Sequence, residues 1–311
     1  MGAGLRVQTV RYGDDAPDLV RMVRSLIAAA RFIRERDPVA QVTAAIGDCG
    51  GPKGADATVS EASLDELREL LGAAGISLDY VAFGTNTGHG TGQNRLAARA
   101  EAAEAGIVVL VNPDTYLVPS CLATLVAALD DETVGIAEAR QIPLEHPKPF
   151  DLVTGDTPWA SGCTMALRAS VFEALGGFET AFFLHGDDVD LSWRVRMSGL
   201  RVLHVPSAAV FHDKRLTATG FPEPTPEEEY HAILARLLLA HRAERPDVIQ
   251  RWMVWAGDRG SALQREAVAA FRHKEAAGSL PQCYREAMGV SSRQVAEVAC
   301  FHGGEYADHR F

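Results

Sequence analysis

Nowhere in the 311 residues does an apolar run approach the roughly 20 residues needed to cross a bilayer as a helix. The longest, such as Ile107–Val111, are far shorter. The opening MGAGLRVQTVRYGDD also has no apolar core of signal-peptide length. A soluble, cytoplasmic protein is therefore expected, with contact at the inner membrane face left open. Cysteine is scarce: five residues are dispersed along the chain without a CxxC pair. That suits free thiols in a reducing compartment better than a disulfide scaffold. Cys300 and His302 are close in sequence, but two ligands fall short of a structural zinc site, which usually takes four. Positive charge is also short, with 30 Lys and Arg against 41 Asp and Glu and a net charge of −11. Such a surface repels phosphate backbones, so nucleic acid is not the expected partner. Repeats and low-complexity tracts are missing too. What remains, 47% hydrophobic and 23% charged residues, describes a globular chain with a sizeable core.

Alternating and helical periodicities follow one another along the first ~140 residues. Strands are expected at Leu5–Val10, Val39–Ile46, Leu78–Phe83, Ile107–Val111 and Val134–Ala139. Between them, Leu19, Met22, Val23, Leu26, Ile27, Ala30 and Ile33 recur at helical spacing. Further helices are expected at Ser63–Leu71, with Ser63 and Glu66 as a capping box, at Thr91–Ala105 and at Pro119–Leu129. Strands alternating with helices imply a mostly parallel, doubly wound α/β sheet. The second half departs from that rhythm. A proline-rich irregular loop, Pro143–Pro158, precedes a strand at Ala160–Leu167, helices at Ser170–Leu175 and Asp187–Met197, and strands at Leu200–Val205 and Ala208–Phe211. A Gly- and Pro-containing linker then leads to a helix at Glu227–His241 and two or three more helices.

Four clusters can carry chemistry. Asn86-Thr-Gly-His-Gly-Thr-Gly-Gln-Asn94-Arg95 lies between a strand and a helix, where glycines let backbone approach a ligand and a helix N-terminus suits an anion. It also reads as an ordinary βα loop. Asn112-Pro113-Asp114 ends an apolar strand, the edge at which open α/β sheets bind ligands. Asp114 there is either a turn residue or a ligand for a hard divalent cation. Phe182–Arg194 places Asp187, Asp188 and Asp190 at a helix start, where the dipole favours acids and a general base can be mounted. His212 closes the run Pro206–Asp213, as a surface residue or a metal ligand. The glycine-rich Gly47–Gly54 loop has the wrong spacing for a dinucleotide fingerprint.

Taken in order, these clusters resemble the family-two glycosyltransferases of GT-A fold, particularly the rhamnosyltransferase-like branch. The resemblance rests on Asn86–Arg95, Asn112–Asp114, Ser161-Gly162, Gly176-Gly177-Phe178, Phe182–Arg194 and Pro206–His212, and spans about residues 5–215. It implies a GT-A catalytic domain at 1–215, with a nucleotide-sugar half to about 115 and an acceptor half from about 116, followed by a C-terminal helical extension at 216–311.

The implied activity is inverting transfer of a sugar from a UDP- or dTDP-sugar to an acceptor hydroxyl. The acceptor would be carbohydrate, lipid-linked or small. A sugar-1-phosphate nucleotidylyltransferase and a non-catalytic nucleotide-sugar binding module are the alternatives, and a homodimer is compatible with all three. By the resemblance, Asp188 is the base and Asp187 supports the base or the acceptor. Asp114 and His212 hold Mg²⁺ or Mn²⁺, with Asn112 in place of the family's first acid. Asp48, Thr9 and Arg11 line the base and ribose, and Asn86, Gly88, Asn94 and Arg95 line the nucleotide-sugar pocket. Trp159 either stacks on a sugar or packs in the core. The first-strand end and the Gly47–Gly54 loop, both on the base and ribose side, depart from the family pattern.

Overall fold

The computed structural model of the protein describes residues 4–13, 16–38, 40–52, 54, 58–99, 105–214, 216, 218, 220 and 223–301. His302, and with it the Cys300–His302 pairing considered above, lies outside the described residues. Eight strands form one mixed sheet in the order β3-β2-β1-β4-β7-β6-β8-β5. These are β1 (Gly4–Arg11), β2 (Val42–Asp48), β3 (Ser77–Ala82), β4 (Ala105–Val111), β5 (Thr115–Leu117), β6 (Val134–Ile142), β7 (Thr164–Arg168) and β8 (Arg201–His212). β3, β2, β1 and β4 are parallel neighbours, as the β/α alternation implies. β7 runs antiparallel to both β4 and β6, β8 lies parallel to β6, and β5 returns antiparallel along β8. The C-terminal ends of β4, β6 and β8 therefore face the same side.

The helices that cover the sheet follow the apolar stripes of the sequence. α1 (Ala16–Arg34) buries Leu19, Met22, Val23, Leu26, Ile27, Ala30 and Ile33, all seven residues of its stripe. Their burial drives α1 onto the sheet, each large aliphatic contributing roughly 1.5–3 kcal/mol. α2 (Glu61–Ala73) starts earlier than expected. Ser60, not Ser63, is its cap and accepts from the Ser63 amide at 3.2 Å. Glu66 is thereby released to face Arg24 at 3.6 Å. α3 (His89–Ala97) begins within the Asn86–Arg95 loop and is shorter than the expected 91–105, since Ala105 opens β4 and 100–104 lie outside the described residues. α4 (Cys121–Ala128) and α5 (Ala169–Ala174) are close to expectation.

Three differences from expectation matter for the site. The strand expected from Ala160 begins only at Thr164, so Ala160–Cys163 remain non-strand backbone. The two strands expected around Pro206 are one, β8. The β6–β8 register shifts between Ala139 and Arg140, which frees the position where proline has no N–H to give. β5 was not anticipated at all; three residues are too few to show a periodicity.

α6 (Asp187–Met197) starts and ends where the sequence places it, with Gly186 in the left-handed region as its cap (φ 76°). Its inner face joins α7 (Pro226–Arg242), α8 (Pro246–Arg259), α9 (Ala262–Ala276), α10 (Tyr284–Met288) and α11 (Ser292–Val298) in one apolar cluster that includes Trp193, Phe182, Leu238, Trp252 and Phe271. Residues on both sides of position 215 thus share a core. α7 opens on a capping box between Thr225 and Glu228, with Pro226 in its first turn. No described helix is long and apolar enough to cross a membrane.

A buried ionic cluster ties these helices together. Asp190 is fully buried and accepts from Arg194 Nε at 2.8 Å, Arg242 Nη1 at 2.7 Å and Tyr284 Oη at 2.9 Å. Arg194 also donates to the carbonyls of Leu175 and Gly177. Removing one partner of such a cluster strands buried charge. Arg242→Met should therefore cost about 3–5 kcal/mol of unfolding free energy, to be read from urea denaturation.

Candidate active site

The C-terminal ends of β4, β6 and β8 bring the separate clusters to one place. Asp114 follows β4, and β5 then pairs with β8 so that Thr115 stands opposite His212. The Asp213 amide donates to the Asp114 carbonyl at 2.9 Å, closing the juxtaposition. One Asp114 carboxylate oxygen lies 3.3 Å from His212 Nε2, and the other, Oδ1, is buried without a protein hydrogen-bond partner. His212 Nδ1 is oriented by Gln141 Oε1 at 2.8 Å. Burial works against a charged imidazole, but the bond to Asp114, with Cys163 nearby, raises His212 to about 10.

The base candidate reaches the same place from α6. Asp188 accepts from the amides of Gly162 and Val189, both at 2.8 Å. Burial first, and the adjacent Asp187 charge second, push its carboxyl up to about 6. The next residue, Cys163, gives its carbonyl to the Asn112 amide at 2.9 Å, and its thiol lies 3.3 Å from Thr115 Oγ1. Ser161-Gly162-Cys163 is thus the hinge on which both the Asp188 side and the Asp114 side hang. Asp187 is buried, with Oδ2 2.6 Å from His89 Nδ1. Burial opposes its charge, and His89 more than compensates, keeping the carboxyl below the usual range.

The Asn86–Arg95 loop is docked rather than loose. The His89 amide donates to the Phe183 carbonyl at 3.2 Å. A Cβ on Gly88 (φ +72°) would stand 2.3 Å from that carbonyl oxygen, so only glycine permits the approach. Asn86 Oδ1 accepts from the Gly88 amide at 3.1 Å, shaping the turn. Asn94 is spent on structure: its side chain brackets Phe178, donating to its carbonyl and accepting from its amide, both at 2.8 Å. Arg95 is exposed, with its guanidinium 5.3 Å from the Phe83 ring centre.

The expected base-and-ribose residues cluster at the ends of β1 and β2. Asp48 is fully buried, and all its acceptor capacity is in use. It accepts from Arg11 at 2.6 Å, Gly50 N at 2.9 Å, Val59 N at 2.8 Å and Tyr80 Oη at 2.6 Å. Thr9 is buried beside it on β1, with its hydroxyl lacking a protein partner. Asp48 therefore pins the Gly47–Gly54 loop and Arg11 to the sheet edge. Trp159 is 6% exposed and belongs to the helical core. Lys148 Nζ sits 4.1 Å from its ring centre and the His146 ring 5.5 Å away. Lys148 in turn pairs with buried Glu138, which also accepts from the Ser161 amide at 2.9 Å and so steadies the hinge.

Sequence reasoning passed over His89, Gln141 and Cys163. His89 stood inside the glycine-rich loop, where its neighbours drew the attention; the other two showed no signal, because their roles depend on strand pairing.

No protein-family model matches the sequence. Two curated relatives are similar over part of their length. One is the N-acetylglucosaminyl-diphospho-decaprenol L-rhamnosyltransferase of Mycobacterium tuberculosis, 27% identical over 178 residues, covering 42% of this chain and 57% of that protein. The other is the rhamnosyltransferase WbbL of Escherichia coli, 32% identical over 66 residues, covering 21% and 25% respectively. The chain thus spans little more than half of the first relative and a quarter of the second. Among solved structures, GalNAc-T7 with UDP, GalNAc and Mn²⁺ superposes with a TM-score of 0.58 at 14% identity, over 95% of this chain and 58% of that one. S. aureus TarS residues 1–349 with UDP gives 0.51 at 11% identity, over 88% and 91%. At such identities the structures establish the fold alone. The chain has the GT-A glycosyltransferase fold, and part of its sequence is similar to that of rhamnosyltransferases.

Proposed function

We infer that the protein is an inverting glycosyltransferase that moves a sugar from a nucleoside-diphosphate sugar, UDP- or dTDP-linked, to an acceptor hydroxyl. The observation that carries this reading is the hinge at Ser161–Cys163, which sets Asp188 on one side and the Asp114–His212 pair on the other. A carboxylate able to take a proton near neutral pH thereby faces the strand end where a diphosphate would lie. In a single displacement the acceptor oxygen bonds to the sugar C1 while the C1–O bond to the diphosphate breaks. The acceptor proton goes to Asp188, and the nucleoside diphosphate leaves.

The donor set fits a divalent cation. Asp114 Oδ1 is buried without a protein hydrogen-bond partner, and His212 Nε2 is aimed by Gln141 in the manner of an oriented metal ligand. Asp114 and His212 would hold Mg²⁺ or Mn²⁺, and among the described residues no cluster of three His, Cys, Asp or Glu offers a fuller cage. Remaining ligands would come from diphosphate oxygens, and the cation would supply charge neutralisation for the leaving group. Thr9 and Arg11 stand where the base and ribose would lie. Asp48 would meet the base only by giving up one of its present partners. Asn86 and Gly88 would shape the pocket wall through backbone, and Asn94 would act by holding Phe178. The helices from 216 onward form the C-terminal extension of this catalytic domain and steady α6.

An acceptor carried on a polyprenyl diphosphate is the first to try, because the mycobacterial relative's name specifies one. The test is incubation with UDP- and dTDP-sugars and such an acceptor, followed by product analysis. Acceptor-dependent release of nucleoside diphosphate is expected. Pyrophosphate exchange instead would indicate a nucleotidylyltransferase, and tight donor binding without turnover a binding module.

A further inference from the structure

The Asn86–Arg95 loop and α6 meet at one ion pair, between His89 and Asp187. The two residues are 98 positions apart, and their atoms approach to 2.6 Å. The contact is built by close packing on every side. A Cβ at Gly90 would lie 2.9 Å from Phe178 Cβ and 3.1 Å from Asp187 Oδ2. A Cβ at Gly162 would lie 3.2 Å from His89 Cε1 and 3.5 Å from Asp188 Cβ. The imidazole therefore sits in a glycine-lined slot, with Asp187 at one nitrogen and the Gly162–Asp188 contact beside its edge. The Phe178 ring closes another side at 5.5 Å, edge to face.

Two adjacent carboxylates at a buried helix start repel one another, and one of them needs a counter-charge. Asp187 has one and Asp188 does not. We propose that His89 is a positioning residue of the transfer site: its imidazolium neutralises Asp187 and fixes the carboxylate pair, leaving Asp188 as the acceptor-facing base. This rests on the transferase reading above. Burial opposes charge on His89, but Asp187, and Asp188 behind it, raise its pKa and so favour the charged ring. The other ionisable groups at this corner are few. His185, whose pKa burial lowers, faces both His89 and Asp187, and Glu228 and Arg236 of α7 act on His185. From α3 itself, only the amide of Gln93 approaches among the described residues, at 3.5 Å from His89 Nε2.

The consequence has a sign. Asp188 titrates under the combined influence of burial, the Asp187 charge, which raises it, and the His89 charge, which lowers it. His89→Gln keeps a hydrogen-bond donor but removes the charge, and His89→Phe removes both. Each should move the acid limb of kcat/KM to higher pH by roughly one unit, the lower end of what a nearby charge does. Asp187→Asn removes the repelling charge and should move that limb to lower pH. A packing role alone would lower activity without moving the limb, so unmoved limbs in both His89 variants would overturn the proposal.

Histidine NMR on the free, full-length protein decides the pair without any turnover. With His89→Gln used for assignment, the His89 ring should titrate above the ordinary 6.5, and should fall toward it in Asp187→Asn. An ordinary His89 pKa unchanged by Asp187→Asn would refute the pairing. A raised pKa in a protein that transfers no sugar would retain the ion pair and reject the catalytic reading on which its role depends.

Discussion

Asp188→Asn should lower kcat by roughly 10²–10⁴-fold, the range of a lost general base, while leaving donor KM within a few-fold. The reason is geometric as much as chemical. Gly162 and Val189 donate to different oxygens of Asp188, so asparagine keeps one of these hydrogen bonds through its carbonyl oxygen and loses the other, at a cost of about 1–3 kcal/mol confined to one helix start. The fold of the α6 start should therefore survive, and the loss should be in the chemical step. A released nucleoside-diphosphate assay at saturating donor measures it, and near-wild-type turnover would remove Asp188 from the role. The pH profile supplies an independent check. The base must be deprotonated to work, so kcat/KM should fall tenfold per unit below about pH 6, the pKa of Asp188 in the free protein, and be flat above it on this limb.

Chelation is expected to produce the other large effect. If Asp114 and His212 hold a divalent cation, EDTA should abolish transfer, and Mn²⁺ or Mg²⁺ should restore it. Asp114→Asn should lower kcat/KM by at least about 10²-fold, equivalent to roughly 3 kcal/mol of lost transition-state stabilisation. Among the described residues no group of three His, Cys, Asp or Glu gathers here, and by the resemblance Asn112 stands in place of the family's first acid. Affinity for the cation should accordingly be much higher with nucleoside diphosphate bound than without it, which calorimetry with Mn²⁺ in the presence and absence of UDP can measure. Full activity in EDTA would eliminate the metal role and leave His212, in its ion pair with Asp114, as the cationic group at the diphosphate end.

The Arg242–Asp190 cluster connects these effects to the rest of the chain. Asp190 lies on the same helix as Asp188, the proposed base, and is held by residues of α7 and α10. Damage to the C-terminal helices is therefore expected to reach the active site through α6. The predicted loss of stability in Arg242→Met should accordingly be accompanied by reduced turnover even at temperatures where the variant is folded.

Much of this architecture was legible before any coordinates. The β/α alternation to about residue 140 and the seven-residue stripe of α1 are properties of local periodicity, because a buried face must recur at the spacing of its element. The bounds of α6 were equally legible: Gly186 ahead of three acids and two arginines in the last turn match both the left-handed cap and the helix dipole. The same logic failed at α2, where Ser60 and Ser63 are chemically equal candidates and the true cap depends on where the chain leaves Asp48. It also divided β8 at Pro206, since a proline in a strand reads as a break unless a bulge in the neighbouring register accommodates it.

By itself, then, the sequence determined the element order, the fold family and the identity of the acids at the strand and helix ends. The tertiary structure alone decided which of them lie together. β5 sets Asp114 against His212, Gly162 gives Asp188 its backbone contact, and His89 rather than a second acid faces Asp187. It also shows Asp48 and Asn94 engaged in hydrogen bonds within the fold and Trp159 packed beside Lys148. The physical reason is range. Periodicity, capping and dipole effects act within a few residues and are written along the chain. Charge pairing and desolvation depend on distances of a few ångströms between residues nearly a hundred positions apart, and those exist only once the sheet has closed.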